Sequence, residues 1–269
     1  MKVCLVAGSG SLPSVFKKSA EKLGEEVFVV GVKGITDIEA QAYLPLGKVG
    51  SLVKLLEKRG INKIVLLGKF EHKLLFSHLL TLDGLALKIL SKAKDRRAQS
   101  IIKALIEELE TIGFEFIDPT PYLQDIIAGS GLLNAVEPSQ EALEDGLFGY
   151  GIAKEIASLD VGQTVVVKQK TVVSVEAMEG TQEAILRAGK IAGKGCRVIK
   201  VARKTQDFRI DVPTVGLQTL EALRSIKADA LFLEAGKVYV VDKEKFLKLA
   251  DRYKISVVGL PFEFLNAHK

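Results

Sequence analysis

The sequence predicts two α/β domains: a Rossmann-like N-terminal domain on a parallel sheet, residues 1–131, and a C-terminal α/β domain with a mixed sheet, residues 132–269. Three observations lead there. Strand-like and helix-like segments alternate through the first half, as in successive βαβ units. The strand segments are short apolar runs, which suits strands buried on both faces. The second half instead carries two hairpin-like pairs among its helices, after a loosened stretch at Gly129–Pro138. With 269 residues, 48% of them hydrophobic, the chain is long enough for two cores.

The elements follow in order. Lys2–Ala7 reads as a strand, Gly8–Leu12 as a loop, and Pro13 as the first turn of a helix to Leu23, where its missing N–H is no loss. Glu26–Val32 is a strand, Ser51–Arg59 a helix closed by Gly60, and Lys63–Leu67 a strand ending at Gly68-Lys69. Asp95–Leu109 has helical periodicity, and Phe114–Ile117 is a strand before a turn-rich Asp118-Pro119-Thr120-Pro121. Beyond the boundary, Thr164–Val167 and Thr171–Val175 form a hairpin, a helix starts at Thr181, and Arg197–Val201 is a strand. Leu217–Lys227 is helical. Ala230–Glu234 and Tyr239–Val241 read as a second hairpin, Asp242 as the cap of a helix to Tyr253, and Ser256–Leu260 as the last strand.

Composition narrows the function. No run of about 18 apolar residues is present, and the N-terminus reaches glycine too soon for a signal peptide, so a cytoplasmic protein is expected. Two cysteines and three histidines give no zinc spacing. Cys4 and Cys196 read as buried thiols. Any metal chemistry falls to carboxylates, hence to Mg²⁺. The net charge of +5 is spread without basic blocks, which argues against nucleic acid.

Four motifs carry the chemistry. Gly8-Ser9-Gly10-Ser11-Leu12-Pro13 joins a strand to a helix in the manner of a phosphate loop. It is an incomplete dinucleotide fingerprint: Pro13 stands at the third glycine, and Val32-Lys33 supplies no ribose-binding acid, which disfavours NAD. Gly68-Lys69 ends another strand on the same sheet edge, where a lysine reaches a phosphate. Glu176-Ala177-Met178-Glu179-Gly180-Thr181 leads into a helix; Glu176 needs a partner if buried, and simple capping is the plainer reading of Gly180 and Thr181. In Asp207-Phe208-Arg209-Ile210-Asp211, charged and apolar residues alternate, which predicts an extended segment with its charges on one face. In a straight strand the two acids would lie about 13 Å apart, too far to share a metal. Two acids bracketing an arginine on one face read as an anionic-substrate or metal site; a self-paired surface ladder is the competing reading.

In this order, Ala7-Gly8-x-Gly10-x-Leu12-Pro13, Gly68-Lys69, Val175-Glu176-Ala177-x-Glu179-Gly180-Thr181 and Gln206-Asp207-x-Arg209-x-Asp211-x-Pro213-x-x-Gly216 span nearly the whole chain. The set resembles the LpxI family of UDP-2,3-diacylglucosamine pyrophosphohydrolases. The resemblance implies Mg²⁺-dependent hydrolysis of the UDP-sugar pyrophosphate by water at the sugar-side phosphorus, yielding lipid X and UMP for lipid A synthesis. It implies a cytosolic enzyme beside the inner membrane, with substrate between two domains; a peripheral membrane contact and a homodimer are compatible with it. It assigns catalysis to Asp211, also the metal ligand, with Asp207 less strict and Arg209 between them. It assigns substrate binding to Gly8, Gly10, Ser11, Leu12, Gly68, Lys69, Asp95, Glu176, Gly180 and Thr181. Lys94-Asp95-Arg96-Arg97 departs from the Gly-Asp-Asp frequent in relatives, leaving Asp95 alone. Leu74–Leu87 is either an acyl-chain site or, more simply, a core helix. The alternative function is a non-catalytic nucleotide-sugar-binding regulator on the same fold; a nucleotide-sugar oxidoreductase ranks third.

Overall fold

Apolar runs bounded by glycine dominate the first half, and they pair into one parallel sheet. A computed structural model describes residues 1–70, 82–95 and 97–260. Strands β1 (Lys2–Ala7), β2 (Glu26–Val32), β3 (Ala42–Leu44), β4 (Lys63–Leu67) and β5 (Glu115–Phe116) lie in the order β3-β2-β1-β4-β5. Every pairing is parallel, with Cys4 opposite Phe28 and Ile64. Helices α1 (Leu12–Lys22), α2 (Val49–Arg59), α3 (Gly84–Lys92) and α4 (Ala98–Glu110) cross between or follow these strands. Gly60 ends α2 in the left-handed conformation, φ 64°, that glycine adopts most readily. The core joins Cys4, Phe28, Leu56, Ile64, Leu109 and Phe116. The helix expected from Asp95 starts at Ala98, because the Asp95 carboxylate bonds the Arg97 amide and holds a turn ahead of it.

The second half forms a mixed sheet, as expected. Strands β6 (Gly131–Leu132), β7 (Thr164–Lys168), β8 (Thr171–Val175), β9 (Arg197–Lys200), β11 (Ala230–Glu234) and β13 (Ser256–Leu260) run in the order β6-β13-β11-β9-β7-β8. The β13-β11-β9 centre is parallel and the flanks antiparallel. Helix α5 (Gln140–Ser158) covers one face, through Tyr150 and Ala153 against Ile199 and Phe232. Helices α6 (Thr181–Ala192), α7 (Leu217–Ser225) and α8 (Lys243–Tyr253) cover the other, through Ile185, Leu223 and Phe246 against Val198, Leu231 and Val257.

Two expectations are corrected here. The second hairpin does not form: β12 (Tyr239–Val240) pairs in parallel with β10 (Thr214–Val215), because β9 and β13 already occupy both edges of β11. Asp242 stands at the start of α8 in the left-handed conformation, φ 53°, and its side chain makes no capping bond.

The compact units are Met1–Gln124 with Asp207–Val212, and Asp125–Gln206 with Pro213–Lys269. The division precedes the sequence boundary at 131/132, since Ala128 bonds Val238 and Leu132 pairs with Val258 in the second sheet. Asp207–Val212 returns to the first unit, where Ile210 packs on its core. Most of Leu74–Leu87 lies outside the described residues, as do His72, His78 and His268. No described helix is long and apolar enough to cross a membrane.

Candidate active site

In the first unit the strand order reverses between β1 and β4, and open α/β sheets bind ligands at the carboxyl ends beside such a reversal. Gly8 and Gly68 meet there back to back. A Cβ on Gly8 would stand 2.7 Å from the Lys69 carbonyl oxygen, and one on Gly68 would stand 2.8 Å from the Gly8 backbone. Ser9 and Lys69 exchange backbone hydrogen bonds of 3.0 and 2.9 Å, and the Ser9 hydroxyl donates to the Lys69 carbonyl. These bonds leave the Lys69 side chain exposed on the crevice edge.

The loop's own amides are engaged. Gly8 N–H donates to Leu67 O, Ser9 N–H to Lys69 O, and Gly10 N–H, 2.7 Å away, to the Asp37 carboxylate. The glycines thus serve close packing and, at Gly10 with φ 93°, a turn. A phosphate is left the first turn of α1, where Ser11 caps nothing with its side chain and no acid is present, together with Lys69. Leu12 is buried beneath that turn. Sequence reasoning missed Asp37 because it sought an acid at the strand end, where Lys33 stands. Gly34 followed by Thr36-Asp37 was the available turn signal.

The Asp207–Asp211 segment is a turn, which corrects the extended ladder. Ile210 and Asp211 amides both donate to Asp207 O, at 3.1 and 3.2 Å. The Asp207 carboxylate accepts from the Arg209 amide, Nε and Nη2 at 3.0, 3.0 and 2.8 Å. A short acid bonding its own backbone two residues on favours a turn over a strand, which is why alternation misled. Arg209 Nη1 also meets Glu110 at 3.1 Å. These Arg209 bonds, opposed by partial burial and aided by Lys103, hold the Asp207 carboxyl below its ordinary range. Asp211 is half-buried on the same turn. The straight-strand distance limit therefore lapses. Asp95 repeats the Asp-x-Arg pattern, bonding the Arg97 amide, Nε and Nη2, and its carboxyl is likewise pulled down, mainly by Arg97 and then by Ser100. Among the described residues no three His, Cys, Asp or Glu side chains assemble as a metal cage.

In the second unit, antiparallel pairing sets the start of β7 beside the end of β9, with Thr164 opposite Lys200. There Lys200 Nζ donates to Thr181 Oγ1 at 2.8 Å and Thr164 Oγ1 at 3.2 Å, and Thr181 Oγ1 donates to Glu176 Oε1 at 2.8 Å. Lys200 Nζ stands 3.6 Å from Glu176 Oε2. Burial alone would raise the Glu176 carboxyl; the Lys200 charge and the bonds from Thr164, Thr181 and the Gln163 amide outweigh it and hold the group ionised. Gly180, φ 83°, begins α6 without a side-chain cap. Further along the same edge Lys154 donates to both Glu234 oxygens at 3.0 and 2.9 Å, and to Ala202 O. Lys154 and Glu234 are fully buried, and burial pushes the Lys154 ammonium down against the pull of Glu234.

The fold thus gathers Gly8, Gly68, Lys69 and the start of α1 into one group, Asp207, Arg209 and Asp211 into a second, and Glu176 and Thr181 into a third. Asp95 sits apart on its own turn. Sequence reasoning missed Lys200 and Glu234. Their signal was a charged residue closing an otherwise apolar strand.

The model of the LpxI N-terminal domain matches residues 2–126, and that of the LpxI C-terminal domain matches residues 129–258. UDP-2,3-diacylglucosamine pyrophosphatase LpxI of Caulobacter vibrioides is 28% identical over 274 residues, covering 96% of this chain and 97% of the relative. Solved structures are remote. A 3-alpha-hydroxysteroid dehydrogenase from Pseudomonas sp. B-0831, covering both chains fully, has a TM-score of 0.27 at 11% identity. A muramoyltetrapeptide carboxypeptidase from Oxalobacter formigenes, over 97% of this chain and 89% of that one, has 0.22 at 15%. Neither carries an argument about function.

Proposed function

This chain belongs to the LpxI family, and on that premise we propose that it hydrolyses UDP-2,3-diacylglucosamine to 2,3-diacylglucosamine 1-phosphate and UMP in lipid A synthesis. The observation carrying this is that two family models, in order, account for nearly the whole chain. Water attacks the sugar-side phosphorus. Such a reaction needs the pyrophosphate charge neutralised and a water held in line.

Lys69 and the first turn of α1 supply cationic and dipolar neutralisation. Asp211 orients water or metal, and Arg209, fastened to Asp207 and Glu110, fixes the turn that carries it. Glu176 and Lys200 hold Thr181 in place at the start of α6. Asp211 would hold Mg²⁺, a hard cation whose preference for oxygen ligands a carboxylate meets. Bound so, Mg²⁺ would supply charge neutralisation on the phosphates. The proposed setting is cytoplasmic, with peripheral contact to the inner membrane. Leu159, Val161 and Met178, large apolar side chains exposed to solvent, support that contact.

The test is UMP release from UDP-2,3-diacylglucosamine with and without Mg²⁺, in ¹⁸O-water, with the label expected in the sugar phosphate. Asp211→Ala should lose about 10² to 10⁴ in turnover with affinity largely kept, and Asp207→Ala should lose less. Tight binding without any UMP release would favour the second reading, a nucleotide-sugar-binding regulator. The neutralisation of Asp207 by Arg209 is the observation on that side.

A further inference from the structure

We propose that Asp37 recognises the vicinal ribose hydroxyls of the nucleotide, so that the glycine loop receives the sugar of the nucleoside and not its phosphates. The inference rests on the reading above and deepens it. Asp37 is fastened to two strand ends at once. Ile35 and Thr36 amides both donate to Val32 O at 3.1 Å, around Gly34 with φ 75°. Thr36 Oγ1 accepts from the Val32 amide at 2.7 Å and donates to Ala7 O at 2.5 Å. That turn carries the next residue to the carboxyl end of β1, where Asp37 Oδ2 takes the Gly10 N–H at 2.7 Å. Oδ1 makes no hydrogen bond among the described residues, and the side chain is exposed.

An ionised carboxylate only accepts hydrogen bonds. A phosphate oxygen brings another acceptor and another negative charge, so the two repel. A vicinal diol brings two O–H donors. The Gly8, Ser9 and Gly10 amides that could have outweighed the repulsion are already bonded. Dinucleotide-binding sheets place an acid after the second strand for this same purpose. Here it arrives five residues beyond β2, by way of the Thr36 turn.

The experiment titrates the full chain, as wild type, Asp37→Ala and Asp37→Asn, with UMP and with 2′,3′-dideoxy-UMP by calorimetry. Wild type should prefer UMP by roughly 10- to 100-fold, the worth of hydrogen bonds to a charged group. Asp37→Ala should bind both ligands alike, and Asp37→Asn should keep part of the preference. Thermal melts check folding, and the isosteric Asn variant carries the test if the Ala variant fails to fold. Equal binding by wild type, no UMP binding at millimolar concentration, a preference untouched in both variants, or tighter UMP binding by Asp37→Ala would each overturn the proposal. Turnover that persists without ribose discrimination sinks this inference alone, and discrimination without turnover sinks only the hydrolase reading.

Discussion

At the carboxyl ends of β1 and β4 the chain meets itself backbone to backbone; at those of β9 and β11 it meets itself through buried charged side chains. The first edge is made of Gly8 against Gly68 and a two-bond bridge between Ser9 and Lys69. The second is made of Lys200 with Glu176 and Lys154 with Glu234. The difference teaches which forces hold each edge. The glycine edge depends on the absence of atoms, so added volume breaks it. The charged edge depends on complete pairing, so a missing partner breaks it.

The largest expected effect is Lys154→Met. It leaves the fully buried Glu234 carboxylate the Lys237 ammonium and the Ala202 amide. Breaking a buried pair by removing one partner costs about 3–5 kcal/mol, which urea denaturation will read, and Lys154→Met with Glu234→Leu should recover most of it. A single-variant loss under about 1 kcal/mol would mean this edge does not depend on pairing.

A smaller effect is expected at the glycine edge. Gly8→Ala forces a Cβ onto backbone atoms at 2.7–3.0 Å and should cost about 1–3 kcal/mol. Gly151→Ala in α5, with nothing within 4 Å of its Cβ, should be neutral or gain up to about 1 kcal/mol. Equal stability of the two variants would erase the contrast in volume.

The smallest effect is a shift in acid sensitivity. Glu176 is held below its ordinary range, so its contribution is fully present above the ordinary glutamate value of about 4.3 and is lost as pH falls through the lower folded value. Lys200→Met removes the largest cause of that depression and leaves burial opposing the charge. The onset of acid unfolding should then move to higher pH, read by thermal melts between pH 7 and 3. An unmoved onset would mean that Lys200 does not govern Glu176.

The parts of the fold legible in sequence are those where local and tertiary demands agree. Lys2–Ala7, Glu26–Val32 and Lys63–Leu67 are apolar runs punctuated by glycine, and buried parallel strands require both features. Helix α5 escaped because Gly146, Gly149 and Gly151 argue against helix. The first two are there for reasons that lie elsewhere in the chain: a Cβ would meet Phe232 at Gly146, and Ile199 and Val167 at Gly149. Ser139, which caps α5 by accepting the Ala142 N–H, was its one local sign. The candidate site was legible where glycine marks a strand end. It was illegible where a side chain returns across a turn, as at Asp37, or where a lysine is buried by a strand paired to its own, as at Lys200. The Asp207–Asp211 alternation satisfied a strand pattern while Asp207 was bonding its own backbone.

The return of Asp207–Val212 to the first unit has a consequence for modularity. The family's two sequence modules meet near residue 128, yet the first physical unit holds six residues encoded deep within the second module. A gene fragment ending at 126 would lack Ile210 on its core and the Arg209 partner of Glu110. A fragment starting at 129 would carry that segment with nothing to receive it. The halves are therefore not interchangeable cassettes: shuffling at the obvious junction inherits a mismatched seam, and recombination between relatives should keep the N-terminal module and residues 207–212 from the same parent.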